Sequence, residues 1–384
     1  MPLSIIFRAY FARACVFLSL LGMASVHAAE IGVSDKEIII GQSITLLGGK
    51  HAYGNAVMQG SKIVFDKVNA EGGVFGRKII VRRLDDEGSS AKAEANARKL
   101  VADGAFLLFG SLEGGPSNAV LKVSSESKVP FFGPIAGSPT FRRPYQPYTF
   151  PVRAEHREEF RALMAWGKAT GLKTVGFMHQ DTEVGRAHVE NIRLLADELG
   201  MQLTTLLPFN SDINDAGMDA LVKELVRKKP DMVFNHGSAG PYASLLTKAW
   251  QAGVKAAFMG VNTGSNQIVE KLGDKAVGMV FAQIVPNPLE RKHAISHEYQ
   301  DAMQKAGLQS ELSYGSLEGY MTAKILVMGL RATGRDLTRT ALIKTLESSR
   351  FDLNGIVVQY QPGNHQGGAF VDLAIVARDK RFMH

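Results

Sequence analysis

Short runs of β-branched and aromatic residues alternate with amphipathic helical segments along nearly the whole chain. Ile38 to Ile44 reads as a strand, and a helix follows from about Asn55 to Glu71, where Gly72-Gly73 stops it. Ile79-Ile80-Val81 opens the next strand and Ala91 to Ala102 the next helix. Ala105 to Phe109 and Val129 to Phe132 are continuously apolar, as expected of parallel strands covered on both faces. A second series begins near Glu155. Phe160, Leu163, Met164 and Gly167 share one helix face, Thr174 to Met178 reads as a buried strand, and helices follow from about Gly185 to Leu199 and Asp215 to Lys229. Asp231 to Asn235 is the next strand, then a helix from about Pro241 to Gln251. Beyond Pro286-Asn287-Pro288 come helices over 296–306 and 315–332, and strands over 356–360 and 370–377.

Repeated strand–helix units need crossover connections, and these put helices on both faces of a parallel sheet. Two such series predict an α/β chain with two doubly wound parallel-sheet lobes. Such sheets bind ligands beyond the carboxyl ends of their strands, so two facing lobes share a cleft. A chain of 384 residues is long enough for two cores, and 45% hydrophobic residues exclude a disordered polymer.

The first 28 residues are set apart from this pattern. Arg8 and Arg13 precede an uncharged apolar run from Ala14 to Val26, and Val26-His27-Ala28 has the small or compact residues of a cleavage site. This is the layout of a secretory signal peptide, too short to span a bilayer. Cleavage after Ala28 removes two arginines and no acid, lowering the net charge of +7 by two, and takes away the chain's one cysteine, Cys15. The mature chain is then an exported, disulfide-free protein with no later apolar stretch of membrane length, which predicts a soluble periplasmic location.

The remaining residues exclude several chemistries. Basic clusters at Arg82-Arg83, Arg142-Arg143 and Arg227 to Lys229 are short and scattered, unlike a nucleic-acid footprint. No GxGxxG or P-loop follows a strand, and neither GxSxG nor HExxH occurs. His293 and His297 are four apart but lack a third ligand nearby, so no metal or other cofactor is expected. Two loops at adjacent strand ends stand out: Gly110 to Asn118, entering a helix, and Gly133 to Pro139. Small residues let a ligand approach the backbone, and a helix start offers unpaired N–H groups to an anion. Ordinary βα turns also use Gly, Pro and Ser.

At these loops the chain resembles the type I periplasmic binding proteins, specifically the leucine/isoleucine/valine-binding family of receptors for ABC transporters. The resemblance rests on Ile40-Gly41-Gln42-Ser43, Val68 to Arg77, Leu84-Asp85-Asp86, Val129-Pro130 and its loop, Asp181 to Gly185, Ser316 to Tyr320, and Pro362 to Gly367, in that order. It implies two lobes joined by a three-segment hinge near Pro151–Arg153, Val285–Pro288 and Asp352–Ile356. Residues 29–151 with 286–352 form lobe 1, and 152–285 with 353–384 form lobe 2.

The resemblance further implies that Tyr53 stacks on a ligand, that Ile135, Ala136, Gly137 and Ser138 offer it carbonyls and a hydroxyl, and that Gly114, Gly115 and Ser117 form the anion-reading helix start. Gly114 replaces a carboxylate-holding serine, Asn262 replaces the acidic partner of a ligand ammonium, and Val184 replaces an aromatic. Asp181, Glu183 and Asn235 are further second-lobe candidates. The function implied is capture of a small carboxylate-bearing solute, an amino acid or organic acid, by a monomer that closes like a clamshell and delivers it to a membrane permease. A periplasmic sensor acting through a separate signalling partner uses the same fold, and catalysis is not expected.

Overall fold

The computed structural model describes residues 30–48, 51–210, 212–236 and 239–384. The segment read as a signal peptide lies outside the described residues. The first lobe opens with β1 (Glu37–Ile44), α1 (His51–Ala70), β2 (Lys78–Asp85), α2 (Ser90–Ala102), β3 (Leu107–Phe109), α3 (Gly114–Ser127), β4 (Phe131–Phe132) and β5 (Thr149–Phe150). These strands form one sheet in the order β2-β1-β3-β4-β5, every pair parallel.

The second lobe contains α4 (His156–Ala169), β6 (Thr174–Gln180), α5 (Glu183–Leu199), β7 (Gln202–Phe209), α6 (Asp215–Lys228), β8 (Met232–His236), α7 (Ala239–Gln251), β9 (Ala257–Gly260), α8 (Ser265–Leu272) and β10 (Val280–Gln283). The chain continues through α9 (Ala294–Lys305), α10 (Tyr314–Thr333), α11 (Arg339–Ser348), β11 (Arg350–Asp352), β12 (Val357–Gln361), β13 (Asn364–Gly368), β14 (Asp372–Val376) and β15 (Phe382–Met383). The second sheet has the order β15-β14-β10-β9-β8-β6-β7, every pair parallel except those β14 makes with β10 and β15.

Both sheets are covered on both faces, and the alternation of side chains along each strand shows how. Leu107 and Phe109 join one core with Ile38, Tyr299 and Leu326, while Leu108 points to a second core with Leu100, Val120 and Phe141. In the second sheet Phe177 and Phe234 pack with Phe160 and Ile192; Met178 and Val233 pack with Leu225 and Tyr242 on the other side.

The chain leaves the first sheet after β5 and enters the second lobe at α4. It leaves the second sheet after β10, where Ile284 and Val285 already pack in the first lobe's core. The third passage is displaced from the expected position. Asp352–Ile356 connects β11 to β12 in a small antiparallel sheet, β11-β12-β13. Phe351, Leu353, Ile356, Val358 and Tyr360 all fill the first lobe's core, and the Tyr360 hydroxyl donates to the Pro151 carbonyl at 3.0 Å. The chain rejoins the second sheet only at β14, antiparallel to β10. The cause is the apolar alternation of 351–360, which is buried on the first-lobe side and draws that segment away from the second sheet.

Candidate functional site

The two strand-end loops of the first lobe are zipped together. Leu112 and Ile135 form a parallel bridge; the Ile135 amide donates to the Ser111 carbonyl at 2.8 Å, and the Glu113 amide to the Ile135 carbonyl at 3.3 Å. Helix α3 starts at Gly114, where an added Cβ would meet nothing within 4 Å, whereas one at Gly115 would stand 2.8 Å from the Ser90 hydroxyl. Ser117, in the first turn, is wholly buried and its hydroxyl has no hydrogen-bond partner among the described residues; Ser111 is in the same state. Buried hydroxyls are nearly always paired, so these two mark the loop as polar ground prepared for something other than its own fold.

The neighbouring loop faces the second lobe. Ala136 is buried. Gly137 accepts the His156 amide at 2.9 Å, and a Cβ there would lie 2.9 Å from the His156 ring, so glycine is required for the lobes to approach. The Ser138 hydroxyl lies 2.8 Å from that of Thr140 and caps the turn over Pro139–Phe141.

Tyr53 is positioned by helix contact. A Cβ at Gly60 would sit 1.8 Å from the Ser316 carbonyl oxygen, and one at Gly319 would sit 2.1 Å from that of Val57. Glycine at both places lets α1 and α10 touch backbone to backbone. This brings the first turn of α1 against α10, where the Tyr53 hydroxyl donates to Glu318 at 2.6 Å.

Glu318 belongs to a buried polar layer drawn from both lobes. Arg153, in the first passage, lies 3.4 Å from Glu318 on the first-lobe side and 3.3 Å from Glu159 of α4 on the second-lobe side. All three are almost fully buried. Glu159 also accepts from the Asn262 amide at 2.8 Å and is 2.7 Å from His156 Nδ1. Asn262 continues the layer, donating to Gln283 at 2.6 Å and lying 3.5 Å from the Tyr53 hydroxyl. Burial pushes the Glu159 carboxyl up, but His156, Arg153 and the Asn262 amide outweigh it and hold the group below its ordinary range. For Glu318 burial prevails over Arg153 and Tyr53, and the carboxyl is raised. Burial and the neighbouring Glu318 together push the Tyr53 phenol well up, which keeps it a donor.

Of the sequence-based candidates, the structure therefore brings Tyr53 and Asn262 together across the lobes and sets Ile135 to Ser138 beside Gly114, Gly115 and Ser117. Asn235 is buried on β8, beside Met178. Asp181 and Glu183 are exposed; Asp181 pairs with Arg186 at 2.8 Å and borders an open hollow with Asn210 and Asn214, all within the second lobe. Among the described residues neither acid bonds to the layer around Arg153. Arg153, His156, Glu159, Gln283 and Glu318 were missed as site residues, because nothing in their spacing announces a layer assembled from five separate segments.

Two doubly wound lobes that meet through a polar layer, with strand-end loops opening onto it, define a two-lobed binding fold. A family model described as periplasmic binding protein matches residues 37–380. A Leu/Ile/Val-binding protein homolog of Brucella abortus is 24% identical over 302 residues, 78% of this chain and 79% of the relative. The solved structure of a possible leucine/isoleucine/valine-binding protein from Rhodopirellula baltica superposes with a TM-score of 0.80 at 22% identity, covering 93% of this chain and 98% of the other. A fatty acid ABC transporter substrate-binding protein from Thermomonospora curvata does so with a TM-score of 0.78 at 20% identity, covering 92% and 91%. The chain belongs to the type I periplasmic binding proteins of the Leu/Ile/Val-binding family. These are solute-binding proteins, not enzymes.

Proposed function

We propose that this protein captures a small carboxylate-bearing solute, an amino acid or related organic acid, between its lobes in the periplasm and presents it to an ABC transporter permease. The observation that carries the reading is the Ser117 hydroxyl, buried without a partner in the first turn of α3, whose first residue, Gly114, leaves its surroundings open. Backbone amides at a helix start and a nearby hydroxyl suit a carboxylate. Ser138 is the adjacent hydroxyl from the second loop, and Tyr53 supplies an aromatic wall. The names of the relatives support the class: one is called a Leu/Ile/Val-binding protein homolog, and a structural neighbour is called a fatty acid ABC transporter substrate-binding protein. Both kinds of solute bear a carboxylate.

A thermal-shift panel of L-amino acids and aliphatic and aromatic carboxylic acids tests the reading. At least one solute should raise the melting temperature, and S117A with S138A should weaken its binding by about 3–6 kcal/mol, since each hydrogen bond to a charged group contributes roughly 1.5–3 kcal/mol. A panel without a single hit overturns the class; a hit indifferent to both serines removes them from the site.

A further inference from the structure

Four histidines gather at the carboxyl ends of the second lobe's strands, beneath the first lobe. His179 is the penultimate residue of β6 and the register partner of His236, the last residue of β8. His188 lies on α5, and its ring centroid is 3.9 Å from that of His236 and 5.4 Å from that of His156. The ring centroids of His156 and His236 are 4.6 Å apart, and Phe160 closes the group edge-on, its centroid 5.4 Å from that of His188. His188 is wholly buried, and neither of its ring nitrogens has a hydrogen-bond partner among the described residues. Among those residues no group of three or more His, Cys, Asp or Glu is arranged to hold a metal ion.

The cover over this cluster comes from the other lobe. Gly137 holds the His156 amide and leaves room for its ring, and the turn at Pro139–Phe141 lies against α5. Arg143 binds Glu155, which also accepts from Asn191 of α5 at 3.3 Å. The charged and titratable groups around His188 are thus His156, Glu155 and Glu159 from α4 and its start, His179 from β6, His236 from β8, and Arg142 and Arg143 from the first-lobe loop. Glu159 is engaged by His156 and Arg153, and Glu155 by Arg143. No carboxylate bonds His188.

We infer that this histidine cluster is a pH-sensitive latch between the lobes, closed while the His188 ring is neutral and released when it takes up a proton. Burial, with His156, His179 and Arg143 adding to it, holds the closed His188 well below its ordinary value. Lifting the first-lobe loop exposes the ring to water and returns it toward about 6.5. The open form then binds the proton and the closed form does not. Closure is therefore at full strength above about pH 6.5 and weakens as the pH falls below it. One histidine so coupled favours the open form about tenfold at one pH unit below its exposed value.

Small-angle scattering of the purified chain, without solute, between pH 8.0 and 5.0 tests the latch. The wild-type radius of gyration should grow as the pH passes below about 6.5 and shrink again on return. H188Q, neutral at every pH, should remain compact over the same range, with far-UV circular dichroism confirming its fold. If H188Q does not fold, H236Q serves in its place and should blunt the transition. A wild-type radius that is constant with pH overturns the proposal, and so does a variant that expands in parallel with wild type. Because no solute is added, failure here leaves the solute-capture reading standing, and a failed solute panel leaves the latch standing.

Discussion

Arg153 is the side chain on which the contact between the lobes turns. One guanidinium sits between two buried carboxylates, each from a different lobe. Removing it leaves both acids without their shared cation, and breaking a buried pair from one side costs about 3–5 kcal/mol. R153M should lower the stability measured by urea denaturation by that amount. E318Q behaves differently. Burial raises the Glu318 carboxyl, so its charge is held less firmly than that of Glu159, and a neutral amide there can still accept the Tyr53 hydroxyl. Its cost should stay below about 1 kcal/mol, near that of one ordinary hydrogen bond. Equal losses for the two variants would show that Arg153 is held for packing alone. At this scale the sequence exposes only part of the site. Tyr53 and Asn262 are legible through the family resemblance, and they do meet across the lobes. Glu318 stands inside a quoted motif and Arg153 inside a quoted hinge segment, yet their roles follow from a charge count that exists only once distant segments are brought together.

At the scale of elements, the α1–α10 contact shows how glycine placement becomes site geometry. Both helices were legible from their apolar periodicity, but the close approach between them was not, because Gly60 and Gly319 resemble any tolerated helical glycine in sequence. In the fold each faces a carbonyl oxygen of the opposite helix at a distance no Cβ can occupy. G319A should therefore push the helices apart and lower stability by about 1–3 kcal/mol, the usual range for overpacking a tight contact. The same shift moves Tyr53 away from Glu318, so solute affinity should fall along with the melting temperature. A variant as stable as wild type would mean the helices slide past each other without strain. The strands that escaped the sequence reading failed for different reasons. β7 lies at the edge of its sheet and mixes polar with apolar residues, and β9 and β10 span four residues each, too short for a pattern to declare itself. Strands buried on both faces, such as β6 and β8, were legible because their apolar runs are unbroken.

For the whole molecule, three passages connect two lobes that each carry a complete core, so the lobes can separate without unfolding either one. Separation breaks bonds that cross between them, among them Arg153 to one of its two acids, Arg143 to Glu155, Tyr53 to Asn262, and the His156 amide to Gly137. A solute changes this balance only through contacts it gains when the lobes come together; one that touches a single lobe equally in both forms shifts nothing. Moving a population from about nine-tenths open to nine-tenths closed requires roughly 80-fold tighter binding to the closed form, about 2.6 kcal/mol. That is within reach of one or two hydrogen bonds from the second lobe to a ligand already held by α3 and its neighbouring loop. Scattering at about pH 5.5, where the latch favours the open form, should accordingly show a smaller radius of gyration once a solute from the thermal panel saturates the protein. The pair S117A and S138A should need more solute to reach the same final radius, because the serines set affinity for the first lobe and leave the closed geometry alone. A solute that raises the melting temperature yet leaves the radius unchanged would place its site on one lobe, away from the layer around Arg153.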